Sequence, residues 1–141
     1  MTNKFENKYG YFSDDGREYI IKTPYTPRPW GNIISNGDYS LMISQNGSGY
    51  SWRNNAGQNR ITRSFQDLIK DNWGKYFYIR DLKRDIYWSA TYKPVMRDYQ
   101  HYQVVHGIGY SRFIHRVENI ESTLTVFVAA DAPLEFFQLQ L

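Results

Sequence analysis

Turn signals recur at short intervals along the chain, and this spacing limits the possible folds more than any other feature of the sequence. Asp14-Asp15-Gly16, Asn36-Gly37 and Asn46–Gly49 each contain a glycine, which accepts positive φ without steric cost, beside residues that favour tight turns. Between such turns, apolar and polar residues alternate with a period of two, as in strands with one buried face. The sequence therefore predicts an all-β fold of antiparallel strands.

The strand boundaries follow from the turn signals and the alternation. A Pro-rich piece, residues 23–30, is predicted to be extended without being a central strand, because proline lacks an N–H. Between Arg63 and Trp73, helical spacing of Phe65, Leu68 and Ile69 predicts one short helix. The predicted strands are Tyr9–Phe12, Arg17–Lys22, Asn32–Ser35, Tyr39–Ser44, Tyr50–Trp52, Tyr76–Arg80, Asp85–Ser89, Tyr99–Val105, Tyr110–Val117, Ile120–Val128 and Leu134–Leu141.

A chain of 141 residues suits one domain with one core, so we expect residues 1–141 to form a single β-sandwich. Aromatic residues make up 18% of it, with 13 Tyr, 8 Phe and 4 Trp. Strands accommodate such residues well, and so do surfaces that bind sugars. The composition therefore agrees with a β domain and keeps sugar binding among the possible functions.

Charge and cysteine content exclude several classes of protein. The net charge of +3 is spread along the chain without runs of like charge, which argues against a nucleic-acid partner. Without cysteine there is no disulfide framework and no thiolate metal site. Residues 1–8 lack the apolar region of a signal peptide, and no stretch approaches the roughly 18 apolar residues of a membrane span. We therefore expect a soluble, cytoplasmic protein.

The segment VVHGIGYSRFIHR, Val104–Arg116, concentrates histidine, arginine and tyrosine around two glycines. It could be a catalytic cluster, a nucleic-acid patch, or a strand pair with one polar, solvated face. His106 and His115 are separated by an odd number of residues, so on an unbroken strand they would face opposite sides of the sheet. They could converge only through a bend or bulge at Gly107 and Gly109. We favour the structural interpretation.

Motifs for catalysis or cofactor binding do not stand out in the sequence. No G-x-S-x-G elbow, calcium loop, phosphate-binding glycine loop or dinucleotide fingerprint is present. A metal site would need a third ligand beside His106 and His115, and His101 is the only other histidine. The sequence therefore assigns no catalytic residue, no metal site and no cofactor.

Several segments resemble the family of cellobiose phosphorylases and cyclic β-1,2-glucan synthases, which are inverting glycoside phosphorylases formerly classed as glycosyltransferases. The resemblance begins with YGYFSDDGREYIIKTPYTPRPWGNIISNG, residues 9–37. It continues in the same order with GSGYSW, NRIT, YFYIRD, YWS, HGIGYSRF and LTVFV, and so covers nearly the whole chain. One departure is Glu118-Asn119, where the family has a Gly before the Ile; we expect Asn119 to take the positive φ.

The resemblance implies a galactose-mutarotase-like β-sandwich at the N-terminus of a larger enzyme. In such enzymes, linker helices join the sandwich to an (α/α)₆ barrel that carries the general acid, and inorganic phosphate is a substrate. Residues 1–141 would then be a non-catalytic part of the sandwich. The alternation of Phe137, Leu139 and Leu141 with glutamines agrees, because the chain stops in what is predicted to be the middle of a sheet.

Two roles follow for this part of the protein. The first, implied by the family, is to scaffold the enzyme, to support dimerisation and to shape the pocket; an exposed apolar face and open edge would also make the isolated chain self-associate. The second is a stand-alone module that binds β-linked gluco-oligosaccharides through exposed aromatic residues. The candidate binding residues are Trp30, Tyr50, Trp52, Arg53 and Trp88, with Trp73 as a further aromatic.

Overall fold

A computed structural model describes residues 5–64 and 67–141. Within these ranges the chain forms eleven β-strands and no helix. The strands are β1 (Gly10–Phe12), β2 (Glu18–Ile21), β3 (Gly31–Ser35), β4 (Tyr39–Ser44), β5 (Gly49–Arg53), β6 (Tyr78–Asp81), β7 (Ile86–Ser89), β8 (His101–Gly107), β9 (Tyr110–Val117), β10 (Ile120–Val128) and β11 (Glu135–Gln140). Each predicted strand is present, with boundaries shifted by a few residues at most.

The strands form two stacked antiparallel sheets and an additional hairpin. The larger sheet has the order β1-β2-β8-β9-β10-β11, and the smaller has the order β3-β4-β5. β3 contacts β8, β9 and β10, and β4 contacts β10, so the smaller sheet covers the middle of the larger one. The hairpin β6-β7 is a separate two-stranded unit. The predicted all-β antiparallel sandwich is confirmed.

The core lies between the two sheets and against the β6-β7 hairpin. Val104, Phe113 and Leu124 come from neighbouring strands of the larger sheet and are almost completely buried. Ile34 and Leu41 face them from the smaller sheet, and the same cluster includes Ile79 and Trp88 of the hairpin. Because side chains alternate between faces along a strand, this burial fixes which face of each strand points inward.

The G-I-G of the segment Val104–Arg116 is a tight hairpin turn between β8 and β9. Gly107 pairs with Tyr110, which leaves Ile108 and Gly109 as the turn. Gly109 has φ of 85°, a left-handed conformation that glycine adopts at no steric cost. A Cβ on Gly107 would lie 2.6 Å from ring atoms of Tyr110. The first glycine therefore makes room for an aromatic ring, and the second forms the turn.

The turn between β9 and β10 differs from the expectation at Glu118-Asn119. Val117 pairs with Ile120, so Glu118 and Asn119 form the turn. Glu118 takes the positive φ, at 52°, whereas Asn119 does not. The hairpin is kept as expected, but the strained position is the glutamate, because the first of the two turn residues is the one that needs positive φ in this geometry.

The predicted short helix between Arg63 and Trp73 is not formed in its described part. Phe65 lies outside the described residues, while residues 68–70 form a turn. Leu68 and Ile69 are 65% and 93% exposed, so they do not form a buried helical face. Asp71 has φ of 41°, which is outside the right-handed helical region. Helical spacing was therefore misleading here.

None of the described segments, residues 5–64 and 67–141, contains a helix with the length and hydropathy needed to cross a membrane.

Candidate functional site

The two histidines of the segment Val104–Arg116 lie on the same, inward face of the larger sheet. His106 pairs with Ser111 and His115 pairs with Tyr102, since the hairpin turn lies between them. The separation onto opposite faces that an unbroken strand would give does not occur, because the chain reverses at Ile108 and Gly109. The two histidines remain about 13 Å apart along the strand direction, too far to bind one ligand together. Neither imidazole ring lies on a solvated face of the sheet, so that part of the structural interpretation is wrong.

His106 is held in a hydrogen-bond network beneath Trp30. Its Nε2 lies 3.1 Å from the carbonyl oxygen of Trp30 and its Nδ1 lies 2.9 Å from the hydroxyl of Ser111. A carbonyl can only accept, so Nε2 carries the proton and Nδ1 accepts from Ser111. Asn32 donates to the same hydroxyl oxygen at 3.2 Å. The network joins β3, β8 and β9 and leaves His106 neutral.

His115 is completely buried between the sheets. Its Nδ1 donates to the carbonyl oxygen of Ser89 at 2.9 Å. Its ring contacts Tyr102 and Tyr99, with ring centroids 5.1 and 5.9 Å away. Nε2 has no hydrogen-bond partner among the described residues. His115 thus packs as an aromatic core residue that anchors β9 to the end of β7.

Both histidines make the stability of the fold depend on pH. Burial lowers the pKa of His106 from the ordinary 6.5 to about 4, and it also lowers the pKa of His115. Below pH 6.5 the unfolded chain takes up protons that the folded chain does not, so unfolding becomes more favourable as pH falls towards the folded pKa values. The loss approaches about 1.4 kcal/mol per pH unit for each histidine. We expect the urea concentration at the midpoint of unfolding to decrease as the pH is lowered from about 7 to about 5. An unchanged midpoint would contradict the burial of both histidines in the neutral form.

Among residues 5–64 and 67–141, no group of three or more His, Cys, Asp or Glu is arranged to hold a metal ion. Two carboxylates that are largely shielded from solvent, those of Glu135 and Asp71, are engaged elsewhere. Glu135 accepts from Lys75 and, at 2.6 Å, from Ser51. Asp71 accepts from three side chains of the β4-β5 region. These groups cross-link parts of the fold.

Tyr50 and Trp52 lie side by side on the outer face of the smaller sheet. Their ring centroids are 5.3 Å apart. Tyr50 is only 9% exposed, and the guanidinium of Arg60 lies 4.3 Å from its ring centroid. Trp52 is half-buried and pairs through its backbone with Arg60. A cation–π contact thus already occupies a face of the tyrosine.

Arg53 does not join this aromatic pair. It follows Trp52 directly in β5, so its side chain points to the other face of the strand. Its Nε donates to the carboxylate of Asp38, at 3.1 and 3.2 Å from the two oxygens. The basic residue that contacts the pair is Arg60, which the sequence did not single out because it lies eight residues from Trp52 and ten from Tyr50.

Trp88 is completely buried in the core, at 0% exposed. It cannot stack on a sugar in this fold, so its assignment as a binding residue is wrong. The reason is that the face of β7 that carries Trp88 points towards the interior, where Trp88 joins the main hydrophobic cluster. Trp73 is half-buried, and the guanidinium of Arg63 lies 5.3 Å from its ring centroid.

Trp30 is half-buried beside two tyrosines that the sequence did not mark as binding residues. Tyr9 and Tyr19 contact it edge to face, with centroids 5.5 and 5.7 Å away. Tyr19 lies on the inward face because it pairs with His106 and is two residues from the core residue Ile21 in the same strand. The pairing of β1 with β2 could be predicted from the turn signal between them. The contact of Tyr19 with Trp30 could not, because it depends on how the Pro-rich segment packs.

Comparison with known proteins gives the family. The model of the glycosyl hydrolase 94 supersandwich domain matches residues 17–141. N,N'-diacetylchitobiose phosphorylase of Vibrio furnissii is 35% identical over 95% of this chain. 3-O-β-D-glucopyranosyl-β-D-glucuronide phosphorylase of Paenibacillus borealis is 34% identical over 94% of it. Cyclic β-(1,2)-glucan synthase NdvB of Rhizobium meliloti (strain 1021) is 28% identical over 97% of it.

These relatives are much longer than the chain. The matched region is 17% of the Vibrio enzyme, 16% of the Paenibacillus enzyme and 5% of the glucan synthase. The similarity therefore concerns one domain of each relative, in agreement with the two-sheet fold and with the resemblance noted in the sequence. Since the domain model covers most of the chain, the protein belongs to the glycosyl hydrolase 94 supersandwich domain family.

Proposed function

We propose that this chain is a non-catalytic, scaffolding part of a carbohydrate-active glycoside phosphorylase or glycosyltransferase that acts on β-linked glucans. The observation that carries the proposal is the match of residues 17–141 to the supersandwich domain model, together with the small fraction of each relative's length that the chain covers. In the whole protein, inorganic phosphate would be a substrate and an (α/α)₆ barrel would carry the chemistry. The cytoplasm is the location that we propose for it.

The exposed face of the larger sheet supports a role in subunit contacts. Phe127 and Phe136 stack there on neighbouring strands, with centroids 5.1 Å apart and ring planes 17° apart. Tyr110 pairs with Phe127 in the same row, and Phe136 is 44% exposed. Such aromatic surface is costly to leave in water. We therefore propose that this row contacts another subunit of a homo-oligomer, which would help to shape the neighbouring pocket.

The experiment compares variants of the full-length protein by light scattering and by phosphorolysis. Phe136→Arg places a charge in the aromatic row, and we expect it to weaken the oligomer. Ile33→Arg is the matched control, since Ile33 is 65% exposed on the opposite outer face. Deletion of the domain should abolish folding or oligomerisation. A truncated protein that stays oligomeric with unchanged phosphorolysis would refute the proposal.

A second candidate function is binding of β-linked gluco-oligosaccharides by the half-buried aromatic residues. Trp30 and Trp52 each leave part of an indole accessible beside polar groups, a combination suited to sugar rings. Titration of the chain with β-gluco-oligosaccharides, followed by tryptophan fluorescence, tests this function. Failure to observe a change at millimolar ligand would refute it without affecting the scaffolding proposal.

A further inference from the structure

A groove runs along the edge where the Pro-rich segment crosses the larger sheet. It is lined by Asn7, Tyr19, Pro29, Trp30 and His106, together with Ile21 and Gly31, and has a volume of about 610 Å³. That size lies within the range of small-molecule sites in proteins, roughly 300–1,000 Å³. Aromatic and aliphatic surface alternates in it with a few polar atoms.

The groove has a rigid wall at Trp30. The backbone N–H of Trp30 donates to the side-chain oxygen of Gln45 at 2.8 Å, and its carbonyl accepts from the backbone of Gln45 at 2.9 Å and from His106. Gln45 is 1% exposed, so this clamp is inside the fold. Pro29 restricts the backbone directly before Trp30. The backbone of Trp30 is therefore held in place, and the edge-to-face contacts of its ring with Tyr9 and Tyr19 restrict the indole before any ligand binds, which lowers the entropic cost of binding.

Two donors in the groove have no acceptor among residues 5–64 and 67–141. The indole N–H of Trp30 has no hydrogen-bond partner among the described residues and is not among the buried polar atoms. The hydroxyl of Tyr19 accepts from the amide of Asn7 at 3.3 Å, which leaves its O–H free to donate. A ligand with hydroxyl oxygens could accept from both groups.

The lining also indicates that the ligand is neutral. No described residue of the groove is Lys, Arg, Asp or Glu. His106 is uncharged near neutral pH because burial lowers its pKa to about 4. A phosphate or carboxylate would thus find no counter-charge there, whereas an uncharged ring with one apolar face and several hydroxyls would find matching partners.

We infer that the groove beside Trp30 is a subsite for a neutral β-linked glucopyranose, which stacks against Trp30 and accepts hydrogen bonds from its indole N–H and from Tyr19. The inference rests on the second candidate function and gives it a location. It places the sugar at Trp30 and not at the Tyr50–Trp52 pair, where Tyr50 is only 9% exposed and Arg60 already covers a face of its ring.

The test follows the four indole N–H signals of the chain, from Trp30, Trp52, Trp73 and Trp88, in ¹H–¹⁵N spectra during titration with cellobiose. We expect a saturable shift of the Trp30 signal. Trp30→Phe keeps an aromatic ring but removes the donor; with binding followed at the backbone amide signals of Gly31 and His106 in the groove, it should weaken binding by about tenfold, the loss of one hydrogen bond in a site of this kind. Tyr19→Phe should have a similar effect, and Trp52→Phe is the matched control.

The outcomes separate the groove beside Trp30 from saccharide binding elsewhere on the chain. A cellobiose-dependent shift confined to the Trp52 signal, with the Trp30 indole and the backbone amides of Gly31 and His106 unchanged, would overturn the groove and leave saccharide binding in place. No shift of any indole at about 50 mM cellobiose, a concentration that detects even very weak sites, would overturn both. Unchanged signals of the other three tryptophans in Trp30→Phe would show that this variant is folded, so a loss of binding there counts for the groove.

Discussion

Trp88→Ala should destabilise the fold by about 3–5 kcal/mol, the cost of removing a large aromatic side chain from a packed core. Trp88 is completely buried and belongs to the cluster that joins the β6-β7 hairpin to both sheets. A small domain has only about 5–15 kcal/mol in total. The variant should therefore unfold at much lower urea, as measured by the change of the far-ultraviolet circular dichroism along the unfolding transition.

Tyr87→Ala provides the matched control for this experiment. Tyr87 precedes Trp88 in β7, points to the other face and is 57% exposed. Its truncation should cost less than about 1 kcal/mol, as is typical of surface sites. Equal urea midpoints for Trp88→Ala and Tyr87→Ala would contradict the inward orientation of Trp88. They would also reopen its assignment as a sugar-binding residue.

Asp71→Asn should cost about 2–4 kcal/mol, because it removes acceptor capacity from a buried cluster of donors. The carboxylate accepts from Ser44 at 2.9 Å, from Asn46 at 3.1 Å and from Ser48. An amide of the same shape offers one oxygen and turns an NH₂ group towards the remaining donors. Asn tolerates positive φ as well as Asp does, so the substitution tests the hydrogen bonds and not the backbone.

The comparison for this variant is Asp131→Asn, which makes the same chemical change in an exposed turn. Its thermal and urea midpoints should match those of the unaltered chain. Asp71→Asn should instead lower both, and it should loosen the attachment of residues 67–74 to the β4-β5 turn. If Asp71→Asn behaved like Asp131→Asn, the cluster would not contribute to stability and its role in placing this segment would be wrong.

The helix predicted between Arg63 and Trp73 shows why that segment could not be read from the sequence. Apolar residues at helical spacing are a sound local signal, but Asp71 is bound by Ser44, Asn46 and Ser48, which come from a distant hairpin. These tertiary hydrogen bonds hold Asp71 in a left-handed conformation. Local periodicity contains no information on such partners, so the prediction was wrong.

The candidate site could be predicted only in part. Residue type and neighbouring turns point to Trp30 and Trp52 in the sequence, and both are half-buried in the structure. Arg53 was chosen because it is next to Trp52 in sequence, yet neighbours in a strand point to opposite faces. Tyr19 and His106 were missed as groove residues because they reach Trp30 from two other strands.

The sequence by itself determined the antiparallel β fold, the strand positions and the hairpins, because turn residues and two-residue alternation act within a few residues of one another. Only the tertiary structure decided which aromatic residues are buried and which line a groove. Trp30 and Trp88 have the same side chain, and the residues next to each of them do not predict which one is buried. Their exposure depends on which sheet, loop or hairpin packs on each face, and that is settled by contacts between residues far apart in the chain.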